Sequence, residues 1–468
     1  MGAAALATLP GGMLVARSQP RAPERFLFVI SAAGGGSIID SFLPVWEGDV
    51  STPAKARGLV TYPELALAQP AGSALRCVRN LGIGGLFRND YDVADFLQRH
   101  ARDTCVVTVE NTSVNHVVAQ KRAINGAGID GGRTLMEAMA MAHGDGLLLP
   151  NCNMSTGGYL EPGDAAVPAA VRSEIITDPS LFAIGTHGSR GVRSAPGSDV
   201  IARARGARSE LEAASGFGAG SALRDRYLSL RDALGPRLES EDLIRKLMLI
   251  EEGEDAPLTE FDLASSPDGP ALRERFRFLG DDTLHTQAAL AFLLAKYGVA
   301  CALTFGPKFQ PSILTGGQIV DTPLAFDYSH TNHVESQNVM WSRIMEAADG
   351  LIRMLQDTPH GEGTMWDRSL IYIATDFGRS KTRPNGSLAF GSGHHLNNGN
   401  VFISPLLRGN RVFGWVDPET CLTWGFDPTS GEPAPEGEVM REGHLYSLVC
   451  DAMGIDFDGK IDMRGLLR

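Results

Sequence analysis

The sequence predicts an α/β protein of three layers, in which a mostly parallel central sheet is covered by helices on both faces. Three observations carry that expectation. Short continuous apolar runs alternate with longer amphipathic stretches, as strands buried on both faces alternate with their crossover helices. Several of those runs end in glycine-rich or polar turns, as strands that lead into connecting loops do. One long charged span shows helical periodicity and no strand signal, so it reads as an insertion rather than part of the sheet.

The run Arg25-Phe26-Leu27-Phe28-Val29-Ile30 reads as the first buried strand. Ala33-Gly34-Gly35-Gly36 after it forms a tight turn, in which glycine supplies the backbone freedom. A helix from Val93 to Ala101 precedes a strand from Cys105 to Val109, and Glu110 to His116 then leads into another helix. Helix followed by strand recurs at Thr283 to Lys296 with Ala300 to Phe305, and at Val334 to Gln356 with Ser369 to Ala374. In the second of these helices Trp341, Ile344, Ala348, Leu351 and Leu355 share one face at a period of about 3.6 residues. A strand at Val401 to Ile403 and a helix from His444 to Met453 close the pattern. Residues from about 203 to 265 form the charged span. Leu223, Tyr227, Leu230 and Leu234 fall on one helical face there, which predicts a helical cap packed beside the sheet. Residues 1–19 read either as the remainder of an export signal or as an Ala/Gly-rich tail, and 20–468 as one domain.

Of the 468 residues 43% are hydrophobic and 21% charged, ample for an ordinary globular core. Acidic residues outnumber basic ones 55 to 42, giving a net charge of -13. That balance repels nucleic-acid backbones and anionic lipid, so neither is expected as a partner. An anionic substrate would need a local positive centre, a metal or an arginine. No stretch reaches the about 20 apolar residues of a membrane span. Cys77, Cys105, Cys152, Cys301, Cys421 and Cys450 are scattered without metal-finger spacing. They read as isolated buried thiols, with one or two disulfides the alternative in an exported protein.

Ligands of parallel α/β sheets bind beyond the carboxyl ends of the strands. The polar residues expected there are Asp376 in Thr-Asp-Phe-Gly-Arg, Asp327 and His330 in Phe-Asp-Tyr-Ser-His, the pair His394-His395, and the segment Glu110 to His116. Carboxylates with imidazoles suit a divalent cation: zinc where nitrogen dominates, magnesium, manganese or calcium where oxygen does. The same groups serve equally well as loop-stabilising hydrogen bonders. Thr112 opens the predicted helix, where a hydroxyl either caps the turn or meets an anion.

The order of these segments resembles the exported family called domain of unknown function 1501, within the alkaline-phosphatase-like and sulfatase superfamily. The resemblance rests on Ala33-Gly34-Gly35 through Asp40, Asn115-His116, Phe326-Asp327-Tyr328-Ser329-His330, Thr375-Asp376-Phe377-Gly378-Arg379 and His394-His395. It spans about Arg25 to Leu467 and implies an alkaline-phosphatase-like sandwich, export to the periplasm, and a metal-dependent hydrolase of phosphate or sulfate esters. It further implies Asp327, His330 and His395 as ligands of one cation, zinc foremost, with His333 competing with His330 and Asp376 at the position of a second-metal ligand. Thr112 stands at the nucleophile's place, with Arg379 or His116 assisting charge or proton transfer. Two positions depart from the family pattern: Ala33 replaces the first-strand Asp, and His394 the Asp before the final His. Hence at most one tightly held cation is expected. The implied substrate is a small anionic ester or a glycan. The alternative is a catalytically degenerate binding or structural protein on the same fold, its surface used for a protein partner or a glycan.

Overall fold

The computed structural model describes residues 23–83, 90–187, 198–214, 221–229, 243–251, 262–307, 312–315, 318–321, 325–384, 387, 389–434 and 439–468. In chain order the strands that matter here are β1 (Phe26–Ala32), β2 (Thr104–Glu110), β3 (Asn151–Asn153), β4 (Glu174–Ile175), β5 (Ala302–Phe305) and β6 (Ser369–Thr375). They are followed by β7 (Gly378–Arg379), β8 (His394–His395), β9 (Asn397–Ile403), β10 (Arg411–Phe413), β11 (Trp415–Val416) and β12 (Thr423–Trp424). The principal helices are α1 (Val93–His100), α2 (His116–Asn125), α3 (Leu135–His143), α4 (Ser198–Ala214), α5 (Thr283–Lys296), α6 (His333–Gln356) and α7 (Glu442–Met453).

Strand β1 is apolar at every position from Phe26 to Ile30, so neither of its faces can meet water. Phe28 and Ile30 pack into the core on one side of the sheet, Leu27 and Val29 into the core on the other. Helices α1, α5 and α6 build the first of these layers, and α2, α3 and α7 the second. The eight-stranded sheet runs in the order β10-β2-β9-β6-β1-β5-β3-β4. Only β9 opposes the others: it is antiparallel to both β6 and β2, while the remaining neighbours pair parallel. The expected α/β class and mostly parallel sheet are what is found. The predicted face of α6 (Trp341, Ile344, Ala348, Leu351 and Leu355) is entirely buried.

Local signals start and stop the helices that flank the site. Asn115 caps α2 by accepting from the Val118 N–H, and Gly126 ends it in the left-handed region at φ 62. Asn332 caps α6 the same way through Glu335.

Between 203 and 265 the described residues form the rest of α4, a helical stretch at 222–229, a turn of helix at Leu243–Lys246 and a short 3-10 turn at Leu263–Ser265. No strand occurs among them. Leu223 and Tyr227, expected to face inward, are exposed, and Leu230 and Leu234 lie outside the described residues. The signal-like segment 1–19 also lies outside them. All six cysteines are buried and free. No helix among the described residues is long and apolar enough to cross a membrane.

Candidate metal centre

Every predicted site segment except the Thr112 turn and His395 converges beyond the carboxyl ends of β1, β2 and β6. The turn after β1 makes the first contribution. Gly34 and Gly35 both have positive φ, and a Cβ on Gly34 would lie 2.3 Å from the backbone nitrogen of Asp327. Their N–H groups point together and donate to the Asp376 carboxylate, at 3.1 and 2.6 Å. Such a pair of backbone donors is an anion-binding concavity. Gln120 Nε2 donates to the same carboxylate at 3.2 Å, and His116 Nδ1 lies 2.9 Å from Oδ2. Asp376 is fully buried, and its two oxygens already serve four donors.

Asp327 is in the opposite condition. It sits in a 3-10 turn, Ala325–His330, tied to β1's exit by the Phe326 N–H donating to the Ala33 carbonyl. Ala325, at φ 61, holds a left-handed conformation that costs a non-glycine residue about 1 kcal/mol or more. Asp327 Oδ1 is buried and receives no hydrogen bond of good geometry; it is held by charged neighbours, His116 Nε2 at 3.1 Å and His330 Nε2 and Arg379 Nη2 each at 3.5 Å. The Nε2 atoms of His330 and His394 face each other at 2.8 Å. Ligand atoms of His116, Asp327, His330 and His394 all lie within 4.8 Å of one another, a group that could hold a metal ion.

The surroundings set the charge states. Burial opposes protonation of His116, but the Asp327 and Asp376 carboxylates outweigh it and raise this imidazole to about 9. His330 and His394 are held below the ordinary imidazole value, first by burial and then by neighbouring positive groups, Arg379 above all. Asp327 is lowered by the hydrogen bond and charge of His116. Phe377 stacks on His394 with ring centroids 4.1 Å apart and touches His116 at 4.8 Å, fixing both ring planes.

Arg379 is fully buried in this centre. Its guanidinium donates to the carbonyls of Gly34, Phe326 and Ser392, in three different loops of the site, and reaches His330 Nε2 at 3.2 Å and Asp327 Oδ1 at 3.5 Å. It is therefore a tie between loops whose charge borders the ligand group. Its Nη hydrogens are largely committed.

Two predicted residues stand elsewhere. The hydroxyl of Thr112 pairs with Glu442 Oε1 at 2.9 Å and accepts from Arg122 at 3.0 Å, joining the β2–α2 turn to α7. His395 is next to His394 in β8, and successive side chains of a strand point to opposite faces. So His394 joins the ligand group, while His395 lines a cavity on the other side, where Asn397 N donates to its Nδ1 at 3.1 Å. His333 is likewise directed away. Its Nδ1 meets Ser392 Oγ at 2.8 Å, and its Nε2 lies 3.1 Å from the buried carboxylate of Asp40. Sequence reading assigned His116 to proton transfer and did not count His394 as a ligand. The alternation of a two-residue strand could have separated His394 from His395, had the hairpin been recognised.

No family model matches the chain, and no curated protein sequence matches it. Among solved structures, the one described as "Crystal structure of Ps i-CgsB" is similar to it over 93% of this chain and 73% of that chain, at 10% identity and a TM-score of 0.31. That likeness is too distant to bear on the site.

Proposed function

We propose that the chain is a metal-dependent hydrolase of phosphate or sulfate esters, with one divalent cation held by Asp327, His116, His330 and His394. The observation that carries this reading is the Asp327 oxygen, buried, with no hydrogen bond of good geometry, amid imidazole nitrogens within 4.8 Å of one another. A buried carboxylate oxygen whose neighbours are poorly aligned as hydrogen-bond donors is better satisfied by a cation among them. Three nitrogens and one oxygen favour zinc over magnesium or calcium. A cation of this kind supplies Lewis acidity toward an ester oxygen and toward water.

The chain's own residues do the rest. Asp376 fixes the tautomer of His116 through Nδ1 and aims Nε2 into the group, as carboxylates behind metal-bound imidazoles do. Phe377 holds two of the rings in place. Arg379 and a divalent cation against the carboxylates of Asp327 and Asp376 would leave a net positive centre in an acidic protein, which suits an anionic ester. Asp376 has its oxygens filled, so the reading has one cation rather than two, and His394 takes the ligand place that the resemblance gave to His395.

A second reading has its own support. Without a metal, protonated His116 and Arg379 balance the two carboxylates, so the centre is electrically closed. On that reading the chain is a binding protein with a degenerate centre. Elemental analysis of the purified full chain, followed by a panel of phosphate and sulfate esters, separates the two. One equivalent of zinc with ester turnover is expected; metal-free protein after zinc loading would favour the second.

A further inference from the structure

The β8 strand has a second face, and it borders a cavity of about 450 Å³. That lies within the roughly 300–1,000 Å³ of small-ligand sites. Its walls are Leu422, Val439 and Met440, with Trp424 along one side and Glu110 and His395 as polar groups. Trp424 is 38% exposed and stacked on Trp415 across the β11–β12 hairpin, with centroids 5.9 Å apart and planes within 15°. The stack leaves the indole a rigid wall for the cavity.

Other polar groups of the cavity are spoken for. Asn397 exchanges hydrogen bonds with Thr423, and the Thr108 hydroxyl donates to the Trp424 carbonyl. The Glu110 carboxylate and Nε2 of His395 have no hydrogen-bond partner among the described residues.

We propose that this cavity binds a neutral polyhydroxylated ring, a pyranose, stacked on Trp424 and hydrogen-bonded to Glu110 and His395. The chemistry selects this class over its rivals. Glu110 repels an anion, a wholly apolar ligand would bury that carboxylate unpaired, and a quaternary cation calls for a cage of several large aromatic rings where, among the described residues, Trp424 alone of Phe, Tyr and Trp lines the cavity. A sugar ring offers apolar C–H groups to the indole face and hydroxyls to the two polar groups at the same time. The site stands apart from the ligand group across β8, so the proposal holds whether or not that group takes a cation.

The test uses full-length protein titrated with methyl glucopyranoside, galactopyranoside and xylopyranoside, followed by tryptophan fluorescence and calorimetry. Cyclohexanol and tetramethylammonium are the controls. Saturable binding of at least one pyranoside is expected, weakened roughly tenfold or more in W424A and measurably in the conservative variants W424F and E110Q. Bound metal should be the same in all three variants. The titration is repeated on chelator-treated protein, where sugar binding is expected to persist. The proposal is overturned if no pyranoside binds, if binding is undiminished in both W424A and E110Q, if a control binds in its place, or if binding vanishes with the chelator.

Discussion

Two carboxylates stand a single imidazole apart in this protein, and they could hardly differ more. Asp376 is wholly buried and meets backbone N–H groups of Gly34 and Gly35, the Gln120 amide and His116 Nδ1. Asp327, on the other side of the same ring, keeps a buried oxygen that meets only charged neighbours and no well-directed donor. Residue type says nothing of this difference; the donors delivered by neighbouring loops decide it. A carboxylate whose lone pairs are filled orients and stabilises, whereas one left open beside imidazoles is equipped to bind a cation.

The sharpest way to break the comparison is to truncate each carboxylate in turn. D376A leaves buried donors of two segments, the Gly34–Gly35 turn and helix α2, unpaired, and it should cost about 3–5 kcal/mol in urea unfolding of the metal-free protein. D327A, which removes a half-exposed group, should cost about 1 kcal/mol or less under the same conditions. Equal losses would mean that the two sites are not different in kind.

A third carboxylate, Asp40, extends the comparison to acid. Burial works against its charge, but His333, Ser37 and Tyr62 outweigh that and bring it down to about 2. A folded value below the ordinary carboxylate value of 3.8 stabilises the protein at pH above it. That contribution is lost as pH falls from about 4 through about 2. Unfolding measured across this window should show D40N with a flatter acid limb, by about 2 kcal/mol. An identical limb in both proteins would remove Asp40 from the account.

The smallest effect is expected at Thr112. T112V should lose about 1 kcal/mol through the hydrogen bond to Glu442, with bound metal unchanged. A variant of normal stability that has lost ester turnover would instead restore Thr112 to the chemistry.

How far the sequence carried these sites follows from the same physics. Strands β1, β2, β5 and β6 were legible because burial on both faces writes a continuous apolar run. Strands β3 and β4, Asn-Cys-Asn and Glu-Ile, write none; they form because a neighbouring strand supplies the partner. The start of β9 was hidden for a related reason: Asn397, Asn398 and Asn400 read as loop but are used as hydrogen-bonding groups, the last two fully buried. Asp327, His330, Asp376 and Arg379 could be singled out as residues near one sheet edge. Which of them is open, which is saturated, and which member of His394-His395 turns inward depends on hydrogen bonds across more than two hundred residues in some cases and on the phase of a two-residue strand. Neither leaves a local trace.

The central claim is that Asp327, with His116, His330 and His394, forms one cation site while Asp376 forms none. Metal content of zinc-loaded, desalted protein tests it most directly, measured in wild type beside H394A and H395A. One equivalent per chain in wild type and H395A, and a large loss in H394A, is the predicted result. Two equivalents in wild type, none at all, or metal that survives H394A and departs with H395A would contradict it.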